Sequence, residues 1–162
     1  MKLQLVSTLL FVTVVSNING KSLFTGFDKR EYYATIASKN IDSIDHELKI
    51  VQSSSIIEKG AYEGTLLMTK AGLVKKIAEK VNYFKAGRSE LEASIKKNKT
   101  NAELRFLRLI IQENAPPIVN YKGNLKEDKV LLQQSFKTLS PDVQKCILDY
   151  CKRSKILDQK DF

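Results

Sequence analysis

TNAELRFLRLIIQENAPP, residues 100–117, decides how the rest of this chain is read. At about 100° per residue, Leu104, Phe106, Leu107, Leu109, Ile110 and Ile111 cover roughly 220° of a helix. Arg105, Arg108 and Gln112 share the remaining narrow arc. A helix apolar over so much of its surface must be surrounded by other elements, which makes it the centre of a helical domain. Its ends are marked as well. Thr100 and Glu103 stand in the capping-box spacing, in which each side chain satisfies the other residue's free backbone N–H. Pro116 and Pro117 supply no N–H and push residue 115 out of the helical region, so the helix stops there.

The polar arc has two readings. In one, the arginine stems cover apolar surface and their heads reach water, or Glu90 and Glu92 on the preceding helix. In the other, the arc is a groove whose guanidinium forks take a carboxylate or phosphate from a partner. Arg105, Arg108 and Gln112 are then the candidate partner-binding residues.

Outward from this segment the chain reads as helices joined by short breaks. DKREYYATIAS (28–38) carries Tyr32, Tyr33 and Ile36. In NIDSIDHELKIVQ (40–52), Ile41, Ile44, Leu48 and Val51 recur at the steps of one helical face. A serine run at 53–55 is the break before IIEKGAYEGTLLMTKAGL (56–73). Gly60, Gly64, Leu67 and Ala71 share one stripe of that helix, while Tyr62, Leu66 and Leu73 lie nearly opposite. Glycine costs about 1 kcal/mol per helical position relative to alanine, so Gly60 and Gly64 mark a face where another backbone comes close. Residues 73–81 read as a connection with at most a short helical turn. Phe84, Gly87, Leu91, Ser94 and Ile95 line one side of the next helix. Towards the C-terminus, Asn124 with Glu127 opens another helix. Ser140, Pro141 and Asp142 then form a strong start signal ahead of an apolar face of Val143, Cys146, Ile147, Tyr150 and Cys151. The expected fold is all-α, a bundle of antiparallel helical hairpins with about six to seven helices.

Within residues 84–107, Gly87, Leu91 and Ser94 alternate small, large and small, and KKNKTNAE follows as a turn. This stretch resembles a tetratricopeptide-type helical repeat, which implies a repeat-like stacking of hairpins and a protein-binding role. Lys99 stands where such repeats usually carry proline, and no 34-residue self-similarity of the kind that marks these arrays extends along the chain, taking about 34 residues as their period. More broadly, the chain is similar to small exported bacterial helical proteins of unassigned function.

Export is read from the first twenty residues, MKLQLVSTLLFVTVVSNING. One lysine, an uncharged apolar run from Leu3 to Val15, and small residues at Ser16 and Gly20 have the layout of a secretory leader. Its apolar region is too short to span a bilayer comfortably. Residues 1–20 are therefore expected to be removed, after Ser16 or Gly20, leaving a single all-α domain over 21–162 in the periplasm or outside the cell. Export permits disulfides. However, Cys146 and Cys151 are five residues apart on one helix, which sets their Cα atoms roughly 8 Å apart on diverging faces, too far for a bridge.

The chemistry of catalysis is sparse. His46 is the only histidine, and it falls opposite the Ile41, Ile44, Leu48 stripe. One histidine and two core-facing cysteines cannot assemble a zinc-type ligand set. Neither a G-x-S-x-G elbow nor a Gly-rich phosphate loop occurs. Asp42, Asp45 and Glu47 share a helix in the manner of a solvated acidic face. No cofactor is implied.

Charge offers another partner. The chain carries 27 Lys and Arg against 18 Asp and Glu. Residues 70–99 concentrate the excess, with Lys70, Lys75, Lys76, Lys80, Lys85, Arg88, Lys96, Lys97 and Lys99 against Glu79, Glu90 and Glu92. The sequence thus leads to an exported, non-enzymatic helical protein, read first as a protein-interaction module using the arginine arc. The alternative is a polyanion or envelope-surface binder using segment 70–99. Nucleic acid is a poor candidate, because no aromatic-interleaved basic stripe or nucleic-acid motif accompanies the lysines.

Overall fold

A computed structural model describes residues 26–162. The expected leader lies outside the described residues. Seven α-helices follow in order: α1 Lys29–Ser38, α2 Ile41–Ser53, α3 Lys59–Leu73, α4 Ile77–Lys97, α5 Ala102–Asn114, α6 Leu125–Ser135 and α7 Pro141–Cys151. Short 3-10 turns occupy Pro117–Val119, Phe136–Thr138 and Gln159–Asp161. No strand occurs among the described residues, so the all-α expectation holds.

Local chemistry sets the boundaries. Asp28 caps α1 by accepting from the backbone N–H groups of Arg30 and Glu31. Lys39 then turns left-handed, with φ 52°, and Asn40 caps α2 through Ser43 N–H. Three boundaries differ from expectation, the first being α3, which begins at Lys59 and not at Ile56. The cap of α5 is Asn101, which accepts from Glu103 and Leu104 N–H, in place of the Thr100–Glu103 box. Asparagine is at least as good a cap as threonine, and the Glu103 carboxylate is drawn instead to Lys29, Tyr33 and Tyr62. Further back, residues 77–81 form no connection. They are the first turns of α4, a continuous helix of 21 residues, and the break is confined to Val74–Lys76.

Helices α3 and α4 form an antiparallel pair of unusual closeness. Gly60 faces Glu90 and Ser94, Gly64 faces Gly87 and Leu91, and Lys70 lies over the Tyr83 ring. A methyl group added to Gly64 would meet the Gly87 carbonyl oxygen at 2.5 Å and the Leu91 nitrogen at 2.9 Å. The glycines therefore do here what their sequence cost implied. Helix α2 runs antiparallel to α3 on its other side, joined by Gln52 to Glu63 at one end and by the Lys70–Asp45 ion pair at the other.

Helix α5 occupies the centre. Every residue from Ala102 to Gln112 is buried. Leu104, Leu107 and Leu109 reach zero exposure, alongside Tyr32, Leu66, Leu91, Leu132 and Ile147 from the surrounding helices. Helix α7 packs against α1, with Phe106 of α5 edge-on to Tyr150 at 5.6 Å. Its cysteines are free, Cys151 buried and Cys146 half-buried. The last residues fold back on α6, where Phe162 stacks on Phe136 and Asp161 pairs with Lys129 at 2.8 Å.

Candidate functional site

The arginine arc of α5 is not a solvent-facing slit. Helix α6 covers it and delivers Asp128, which has zero exposure. The Arg108 guanidinium grips this carboxylate with two bonds, Nε to Oδ2 at 2.7 Å and Nη2 to Oδ1 at 2.6 Å. Arg108 Nη1 donates to Glu92 on α4 at 3.0 Å, and the other Glu92 oxygen accepts from Tyr121 at 2.6 Å. Arg105 reaches Asp128 at 3.2 Å and Glu127 at 3.3 Å, and gives its remaining donors to the Lys99 carbonyl. Arg105 is 7% exposed and Arg108 3%, so of the two destinations in the first reading, water or a carboxylate, the heads turn chiefly to carboxylates. Of the two carboxylates expected beside them, Glu92 is a partner, while Glu90 packs beside Gly60.

Burial acts against charge on both sides of this network. It raises the Asp128 pKa, against the pull of Arg108 and Arg105. Burial equally disfavours a charged Arg108, yet its bonds to Asp128 and Glu92 outweigh that and raise its pKa. Three bonds from two guanidinium groups oppose the rise at Asp128 by favouring the carboxylate. The result is an ionic staple joining α4, α5 and α6. An outside carboxylate would have to displace Asp128 to use it. Gln112 lies one turn further on, at zero exposure, and neither polar atom of its side chain has a hydrogen-bond partner.

A signal for Asp128 was present in the sequence. It interrupts the stripe Leu125, Leu131, Leu132 of α6, and an acid on an apolar helix face needs a buried cation. Glu103 forms a second buried cluster. It accepts from Tyr62 at 2.7 Å and Tyr33 at 3.4 Å, and pairs with Lys29 at 2.5 Å. Burial, followed by the Glu103 charge, pushes the hydroxyl pKa of Tyr62 and Tyr33 upward. These phenols stay protonated and hold α1, α3 and α5 together.

Concavities lie away from these clusters as well. A cleft of about 350 Å³ between α1 and α7 is lined by Tyr33, Ile36, Phe106 and Ile110, with Arg30 and Lys145 at its edge. Arg30 and Lys145 are engaged by Asp28, Asp142 and Asp149, while Arg153, which also lines the cleft, lies over the Tyr150 ring at 5.1 Å. A smaller hollow of about 220 Å³ brings together Asp28, Glu31 and the buried Glu47. His46, next to Glu47, is exposed, as its place opposite the apolar stripe implied. Asp42 and Asp45 do not join Glu47 there, since Asp45 pairs with Lys70. Among the described residues, no group of three His, Cys, Asp or Glu side chains is arranged to hold a metal ion.

The basic segment is divided by the fold. Lys70 is engaged by Asp45, Lys76 pairs with Glu79 at 3.1 Å, and Arg88 stacks over Tyr121 at 4.7 Å. Lys75, Lys80 and Lys85 have no ion-pair partner among the described residues, and they surround the first turns of α4. Lys96, Lys97 and Lys99 are exposed at its far end. Among the described residues, no helix is long and apolar enough to cross a membrane. Comparison with known proteins gives no matching family model, no matching curated protein and no matching solved structure.

Proposed function

We propose that this is an exported, non-enzymatic binding protein that docks on an acidic macromolecular surface through the first half of α4. The observation that carries this reading is the set Lys75, Lys80 and Lys85 around the start of α4, the first and last exposed and Lys80 half-buried, with no ion-pair partner among the described residues. The interaction module with a groove at Arg105, Arg108 and Gln112 is the weaker reading, because the guanidinium donors are already spent on Asp128, Glu92 and the Lys99 carbonyl. The buried carboxylate clusters support a non-enzymatic role as well. The Asp128 and Glu103 carboxylates are engaged by cations and phenols of neighbouring helices, which is what a structural tie requires. Export rests on the leader-like residues 1–20, and periplasmic and secreted destinations both suit it.

Binding through exposed lysines releases counterions and so weakens steeply as salt rises. Retention of the full chain on immobilised heparin, a soluble polyanion, should fall sharply between low and moderate salt. Replacing Lys75, Lys80 and Lys85 by glutamine should flatten that dependence. Retention indifferent to salt, or unchanged in the triple variant, would remove the basis for this reading.

A further inference from the structure

Along α4, Ile77, Val81, Phe84 and Arg88 recur at steps of four, three and four, and fall within a stripe about 60° wide. The C-terminal part of the stripe is covered. Phe84 meets the Tyr121 ring edge-on at 5.7 Å, and the Arg88 guanidinium lies over the same ring. Beyond Tyr121 the stripe continues largely uncovered by the described residues. Ile77 is 78% exposed and Val81 43%. Lys80 and Lys85 flank this bare stretch at roughly 60° and 80° on either side, and Glu79 projects from the opposite face. Apolar residues thus form a ridge between two lysines at the free end of a helix.

We infer that the acidic surface which α4 meets is an anionic lipid bilayer, with Ile77 and Val81 seated among the acyl-chain boundary and Lys80 and Lys85 on the headgroups. This rests on the acidic-surface reading and narrows it. A soluble polyanion would use the lysines and gain nothing from two bare aliphatic side chains. A protein partner would need an interface of about 1,200 Å² or more, with an apolar centre poor in lysine. Two small aliphatic side chains between lysines do not provide that centre. A bilayer surface uses both parts, because apolar side chains enter its boundary while flanking lysines are drawn to anionic headgroups. Lysine stems are long enough to reach upward as the ridge sinks. Ile57, also bare at 97% exposure, is no part of this ridge. It precedes α3 beside the far end of α4, where Glu58 accepts from Asn98, about 30 Å away along the helix.

The chain contains no tryptophan, so a single one can report from a chosen place in the full chain whatever residues 1–25 contribute. Ile77→Trp should show blue-shifted emission and quenching by brominated lipid on phosphatidylcholine vesicles containing phosphatidylglycerol. Vesicles of phosphatidylcholine alone should leave it unchanged. Ile57→Trp, at the opposite end, should stay unshifted on both. Adding Lys80→Gln and Lys85→Gln to Ile77→Trp should weaken vesicle binding by about tenfold or more. No shift at Ile77→Trp, or an equal shift at Ile57→Trp, would overturn the lipid inference. If lysine-dependent heparin retention persists in that case, the acidic-surface reading survives without it. If lysine replacement changes neither heparin nor vesicle binding, the broader reading fails too.

Discussion

Asp128 stands between two guanidinium groups without access to water. Replacing it with alanine leaves two buried cations without their main acceptor, and uncompensated buried charge typically costs about 3–5 kcal/mol. Asp128→Ala should therefore unfold in denaturant at a markedly lower midpoint than wild type. Gln112 works in the other direction. Its amide is buried with neither polar atom bonded, so Gln112→Met keeps the volume, removes the desolvation penalty, and should stabilise the fold by about 1–2 kcal/mol. A destabilised Gln112→Met would show that the amide has a role the packing does not reveal. Glu47 adds a pH dependence. Burial raises its pKa, with His46 pulling it down and Glu31 and Asp28 pushing it up. The folded state then holds this proton more tightly than the unfolded chain. The sign follows: Glu47 subtracts stability as pH rises from its ordinary 4.5 through the raised folded value. Glu47→Gln should lessen that decline in a series of denaturation curves over the same range. Such residues were hard to read from sequence because a helical wheel gives direction and not partner. Arg105, Arg108 and Gln112 were placed on one arc correctly, but what covers the arc is Asp128, twenty residues beyond Arg108.

At the scale of elements, the α3–α4 pair is the most demanding contact. The two backbones approach so closely at Gly64 and Gly87 that an added methyl cannot be absorbed by moving a flexible side chain, since it meets main-chain atoms. Gly64→Ala should cost about 1–3 kcal/mol through overpacking, in spite of alanine's better helix propensity. Gly72→Ala is the matched control. Nothing lies within 4 Å of its added methyl, and there the propensity gain should prevail. Thermal unfolding of the two variants separates packing from propensity. Gly64 was legible in advance because a helical glycine carries a known penalty that has to be offset by proximity. The start of α4 was not, since LVKKIAEKV lacks a capping side chain and its apolar residues Ile77 and Val81 point outward. A helix whose apolar side faces no core gives a confused periodicity, and that confusion coincides with the proposed docking ridge. The Thr100 cap failed for a smaller reason, one better-placed asparagine beside it.

For the whole molecule, the all-α architecture followed from periodicity and from the apolar breadth of α5, both of which are local properties. Function did not, because it depends on which charges the fold leaves uncovered. Segment 70–99 carries nine basic residues, yet tertiary packing engages Lys70 and Arg88, Lys76 pairs locally with Glu79, and Lys75, Lys80 and Lys85 are left without ion-pair partners among the described residues. A generally basic protein would bind polyanions by net charge alone, whereas a docking surface depends on position. The most direct discrimination removes the same charge from two places. The triple variant Lys75→Gln, Lys80→Gln, Lys85→Gln should elute from heparin at clearly lower salt than the triple variant Lys126→Gln, Lys137→Gln, Lys155→Gln, which loses equal charge from exposed positions elsewhere. Equal elution of the two, whether both fall or neither does, would contradict a binding surface on α4.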